Sequence, residues 1–110
     1  MAAISNLYID AGSTFSAIIT VRGSDGNVLD LTGYTVASQI RKSYGSTTAY
    51  NFNASIYDDN SGKVRVQLSA AESSAIKPGR YLYDIEISTG QSRFRVVEGL
   101  VIITPEITKI

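Results

Sequence analysis

The sequence has no cysteine, no histidine and no tryptophan. Without cysteine there is no disulfide framework and no thiolate metal site, and the chain is compatible with a reducing compartment. Without histidine it lacks the commonest metal ligand and the usual general base near neutral pH. Charge is scarce and balanced: 18% of residues are charged, ten Lys+Arg against ten Asp+Glu, for a formal net charge of zero. Bulk attraction to nucleic acid or to an anionic membrane is therefore not expected. No apolar run reaches the roughly 20 residues a membrane helix needs. Met1 to Ser5 carry no positive charge and no apolar h-region, so no signal peptide is expected.

What is present is a chain of 110 residues, 44% of them hydrophobic. Area scaling gives roughly 5,900 Å² of folded surface against roughly 17,000 Å² for the extended chain. That burial is enough for one core without staples, so residues 1–110 read as a single domain. Apolar alternation at period two recurs throughout. Phe15, Ala17, Ile19 and Val21 mark one strand, and Tyr34, Val36, Ser38 and Ile40 a second. Tyr50, Phe52, Ala54 and Ile56, then Val64, Val66 and Leu68, mark a pair joined by the polar loop Asp58 to Gly62. Residues 43–49, small and polar apart from Tyr44, read as a loop. Residues 70–77 break the alternation. Ser69 and Glu72 have capping-box spacing and Pro78-Gly79 closes the segment, which predicts one short helix.

Tyr81, Tyr83, Ile85 and Ile87 resume the alternation up to Thr89-Gly90. A two-residue loop at Thr89-Gly90 sets Glu86 opposite Arg93 and Asp84 opposite Arg95, with Ile85 on Phe94 and Tyr83 on Val96. The last run continues through Gly99, where a bulge is expected, into Leu100 to Thr104, apolar on both faces. With Ile4 to Ile9 as a first strand, the chain holds about seven strands and one short helix near 70–77. Turns recur every 8–12 residues or so, the pattern of an all-β antiparallel sandwich.

Catalytic equipment is thin. Asp84 and Glu86 share a strand face as a glycosidase pair might, but the arginines opposite favour the charged form of both, the reverse of what a general acid needs. No histidine stands by to activate a serine. The Asp58 to Gly62 loop could offer oxygen ligands to calcium, yet turn chemistry alone explains its composition. Arg41, Lys42, Lys63 and Arg65 read as a solvated face. No catalytic residue, metal site or cofactor is expected. Tyr81 and Tyr83 follow the short helix, where a sandwich often bonds a tyrosine to the bend. Tyr8, Tyr44 and Tyr57 are candidates for exposure, and Tyr44, in a loop, is the strongest candidate for binding.

Three stretches carry a resemblance: Asp30 to Val36 with Ile40-Arg41, Lys77 to Ile85, and Val96 to Pro105. In that order, and over nearly the whole chain, they resemble small virion structural proteins of tailed bacteriophages, including marine cyanophages. They are also similar to the N-terminal domain of the phage baseplate upper protein family. The resemblance implies an immunoglobulin-like β-sandwich without catalysis. It implies a protein that docks onto head, neck, tail or baseplate subunits or decorates the capsid, in a symmetric assembly or homo-oligomer. Its place would be the virion, assembled in the host cytoplasm, with no nucleic-acid or membrane partner. Exposed edges and apolar tails pair with neighbours, so the expected interface residues are Leu7, Ile9, Tyr44, Val101, Ile103, Ile107 and Ile110. A carbohydrate-binding or host-adhesion module using Tyr44, Tyr50 and Tyr57 is the alternative, with the missing tryptophan against it.

Overall fold

Alternation decides which side of each strand is dry. Val64, Val66 and Leu68 are buried while Lys63, Arg65 and Gln67 between them reach the surface. Ile85, Ile87, Val97 and Val101 meet them from the other side of the core at 0–1% exposure. Fully burying one such side chain is worth about 1.5–3 kcal/mol. The computed structural model describes residues 3–107. In chain order these form β1 (Ala3–Ile4), β2 (Leu7–Asp10), β3 (Phe15–Thr20), β4 (Thr35–Arg41), β5 (Ala49–Asn51), β6 (Asn53–Asp58), β7 (Lys63–Leu68), α1 (Ala70–Ser74), β8 (Gly79–Thr89) and β9 (Ser92–Thr104).

Two sheets result. One has the order β9-β8-β4-β5, with β1 and β2 both on the free side of β9; the other has the order β3-β7-β6. β1 and β2 run parallel to β9, and every other pairing is antiparallel. This is an immunoglobulin-like all-β sandwich. The surface is 6825 Å² and the dimensions 44 × 28 × 23 Å, so the molecule is elongated and exposes more than the roughly 5,900 Å² expected from its mass.

Among the described residues nine strands stand where about seven are read, because two runs are cut. The first is broken at Ser5-Asn6. The run from Tyr50 to Ile56 is cut at Phe52, where the chain leaves one sheet for the other. Phe52 donates its N–H to the Ser38 carbonyl (3.1 Å) and buries its ring, so the inward period survives the crossing. The hairpin also differs from expectation. Its loop is Gly90-Gln91, giving Glu86 opposite Arg95 and Ser88 opposite Arg93. Gly90, at φ +51°, takes the first loop position, where a II′-type turn needs positive φ. A slide of two residues keeps every side chain on its face. The expected ion pairs therefore form along diagonals: Arg95 Nε lies 3.0 Å from Asp84 Oδ2 and Arg93 Nε 4.0 Å from Glu86 Oε1. The bulge sits at Val96, between the pairs Glu86–Arg95 and Ile85–Val97, not at Gly99. Gly99 has a different reason: a Cβ there would overlap the Ser5 carbonyl.

The helix spans 70–74, shorter than the 70–77 expected, and has its capping box. Ser69 Oγ accepts from the Glu72 N–H (3.1 Å), and Glu72 Oε1 accepts from the Ser69 N–H and from Asn53 Nδ2, both 2.8 Å. These bonds hold the Glu72 carboxyl below the usual carboxylate range, the Ser69 backbone bond contributing most. Ser73 is fully buried. Its Oγ donates to the Ser13 carbonyl (2.8 Å) and accepts from the Gly12 N–H (3.0 Å), tying the β2–β3 turn to the helix. Tyr81 Oη donates to the Lys77 carbonyl, bonding the bend as expected, and Tyr83 Oη donates to the Ser5 carbonyl (2.6 Å).

Ser73→Ala strands both turn groups and should cost about 1–3 kcal/mol in urea unfolding, whereas exposed Ser74→Ala should stay within about 0.5 kcal/mol. Because Glu72 is more acidic folded than unfolded, its stabilisation is present above the ordinary carboxylate value and lost as pH falls through its lowered one. Stability measured from neutral pH to below 4.5, the ordinary Glu value, should fall less steeply for Glu72→Gln than for the parent chain.

Candidate functional site

A cleft of about 930 Å³ is lined in part by outward residues of the larger sheet, among them Gln39, Arg41, Asp84, Glu98 and Leu100. The outer face of that sheet extends beyond it. Register gives its pattern. Tyr8, Ile102 and Arg80 lie side by side across β2, β9 and β8. The next row is Leu100, Leu82 and Arg41 across β9, β8 and β4. Ile4, Glu98, Asp84, Gln39 and Asn51 follow from β1 to β5. The face is thus apolar on the β1–β2 side and polar toward β5. Ile4 is 77% and Tyr8 71% exposed, while Leu82, Leu100 and Ile102 are half-buried.

The polar part is internally bonded. Asn51 Oδ1 accepts from Gln39 Nε2, and Gln39 Oε1 accepts from Arg41 Nη2, both at 3.0 Å. Arg95 lies beside Asp84 and Arg93 beside Glu86, while Glu98 stands opposite Asp84 on the neighbouring strand. Asp58 and Asp59 turn their carboxylates onto the Ser61 and Asn60 backbone N–H groups, as turn residues do. Among the described residues no three potential metal-ligating side chains come together. Burial pushes the phenol pKa of Tyr81 up, with help from Tyr50, and does the same at Tyr83. Both tyrosines hold the fold.

Four expected interface residues are corrected by their surroundings. Leu7, Ile9, Val101 and Ile103 are core residues at 8%, 1%, 0% and 2% exposure, because β9 is a central strand whose inward positions, with those of β2, face the second sheet. Tyr44 is 74% exposed in the β4–β5 loop and lines the cleft. Ile107, 97% exposed, follows the end of β9. Ile110 lies outside the described residues. The outward apolar positions of β1, β2 and the C-terminal half of β9 are instead the alternate ones, exposed Ile4 and Tyr8 and half-buried Leu100 and Ile102; nearer the hairpin tip, β9 exposes Phe94. Sequence parity separates the two sets, but which set faces inward follows from the partner strand. Tyr44, Tyr50 and Tyr57 make no common strip. Tyr50 packs edge-on against Tyr81, and Tyr57 lies beneath Arg65 on the opposite sheet, 4.5 Å from ring centre to guanidinium.

No family model and no curated protein matches the chain. Among solved structures it is similar to Listeria monocytogenes InlP, at TM-score 0.51 and 12% identity, over 91% of this chain and 26% of that one. It is also similar to a family 123 glycoside hydrolase from Clostridium perfringens, studied for glycolipid glycan hydrolysis, at TM-score 0.43 and 9% identity, over 94% of this chain and 23% of that one. The chain thus spans about a quarter of the length of each structure. The InlP likeness shows the fold alone.

The placement of Ile4 and Tyr8 rests on the close approach of Ser5 to Gly99. Gly99→Ala should push Ser5-Asn6 off β9. Amide exchange at Ser5 to Tyr8 should then rise at least about tenfold while the β7 and β8 amides keep their protection.

Proposed function

We propose that this chain is a non-enzymatic structural protein of a tailed-phage virion, a sandwich module that docks onto neighbouring tail, baseplate, neck or capsid subunits. The observation that supports this best is the outer face of the larger sheet. It is apolar along Tyr8, Ile102, Leu100 and Leu82, with the Asp84–Arg95 and Glu86–Arg93 pairs beside that row and the charges of Arg80 and Glu98 at its margin. An apolar row flanked by polar and charged groups suits broad contact with another protein, where aromatic and aliphatic groups form the dry centre and polar groups the rim. The ordered sequence elements from Asp30, Lys77 and Val96 supply the virion context. In the fold, the first contributes β4, the second β8 and the third β9, the three strands that form the centre of that sheet.

The test is a double variant, Ile4→Ser with Tyr8→Ser, at two side chains that leave the core intact. Supplied in trans to a phage lacking the gene, it should enter purified particles at least about tenfold less than the parent chain, with melting unchanged. Incorporation at the parent level would overturn docking through this face.

A further inference from the structure

A sheet edge is a row of unpartnered backbone N–H and C=O groups, and folded proteins blunt such edges with charge, proline, bulges or brevity. Three of the four edges here are blunted. β5 has three residues. The β1–β2 edge is split at Ser5-Asn6 into pieces of two and four residues and carries Asp10. β6 bulges at Tyr57 and ends in Asp58. β3 has none of these devices. It pairs with β7 without irregularity from Phe15–Leu68 to Thr20–Lys63, and from Ser13 to Val21 there is no charge, glycine or proline. Among the described residues no backbone group of another element bonds to its outer side. The core is also thin along this edge. Phe15, Ala17 and Ile19 are only partly buried, while Val64, Val66 and Leu68 on the adjacent strand are at 0%, 0% and 2%. On the other face Ile18 is 47% exposed.

We infer that two copies of this chain pair antiparallel through β3, joining their smaller sheets into one of six strands. Backbone chemistry requires an extended strand as the occupant, and β3 is itself the uncharged, β-branched, proline-free segment that such an edge accepts. A two-fold axis at Ile18 sets it against the partner's Ile18, with Ser16 against the partner's Thr20 on the same face. On the core side, small Ala17 meets the partner's Ile19 and Phe15 meets the partner's Val21, covering the half-exposed positions. No like charges come opposite. Lys63 and Arg65 stand one strand back, so three strand spacings, about 14 Å, separate them from their counterparts, beyond the roughly 8 Å screening length at physiological salt. Six residues of edge bury less than the roughly 1,000 Å² of a stable interface. The dimer is therefore weak when dilute and strengthened wherever an assembly holds copies together. This goes beyond the docking role above and does not depend on it, since it concerns the other sheet.

Sedimentation equilibrium of the full chain from about 10 μM to about 1 mM tests it, with amide exchange at both ends of that range. The expected result is a monomer–dimer equilibrium in which Ser16 to Thr20 gain protection as concentration rises. Ile18→Lys places two like charges face to face and should weaken the dimer at least about tenfold with melting unchanged; Ser16→Lys, at an exposed position, should weaken it too. A monomer at every concentration would overturn the inference. So would a dimer that survives both substitutions, or one whose β3 amides gain no protection.

Discussion

The register of the β8–β9 hairpin is the constraint on which the larger sheet depends. These are the two longest strands, and every other strand of that sheet attaches to one of them, except β5, which pairs with β4. The turn at Gly90 fixes their pairing near the tip. The bulge at Val96 then resets it, so that Val97, Val101 and Ile103 point into the core rather than out of it. A one-residue error here would exchange the two faces and bring Glu98 inward. The same register puts Gly99 opposite Tyr83, where the absent side chain lets Ser5 approach and the phenol bonds its carbonyl. The N-terminal strands thus lie parallel to β9 because one glycine and one tyrosine make room for and hold a single carbonyl.

From that arrangement follows a division of labour between the sheets. The larger sheet keeps an outer face whose apolar part is continuous from β2 through β9 to β8 and which carries the Asp84–Arg95 and Glu86–Arg93 pairs. The smaller sheet keeps a plainer outer face but leaves one edge open. One sheet offers a surface and the other an edge, the two features on which the proposed contacts rest. The docking role remains the reading proposed above; the fold provides what such a role needs.

Most of the core was legible in the sequence because period two is imposed by the pleat itself. The inward sides of β3, β4, β7 and β8 follow from alternation alone. So do the capping box, which is local, and the tyrosine at the bend. Misreadings arose where one strand's fate depends on another. The break at Phe52 is invisible to alternation because its ring stays inward while the backbone changes sheets. Glycine is a local sign and points to a bulge at Gly99, whereas the extra residue is Val96, a β-branched residue with no such mark. Leu7, Ile9, Val101 and Ile103 read as contact residues in sequence yet lie in the core, because a run apolar on both faces does not say which face its own domain covers. The outer row of Tyr8, Ile102, Leu100 and Leu82 needed three strands in register before it existed as a surface.

The claim at the centre of this account is that the chain is a part of a particle. Its copy number in gradient-purified virions of the phage that this proposal takes as its source, measured by quantitative mass spectrometry against the major capsid protein, tests that most directly. The account predicts a fixed stoichiometry: a simple fraction of the capsid protein for a decoration role, or a few copies per particle for neck, tail or baseplate. Absence from the purified particle would contradict it.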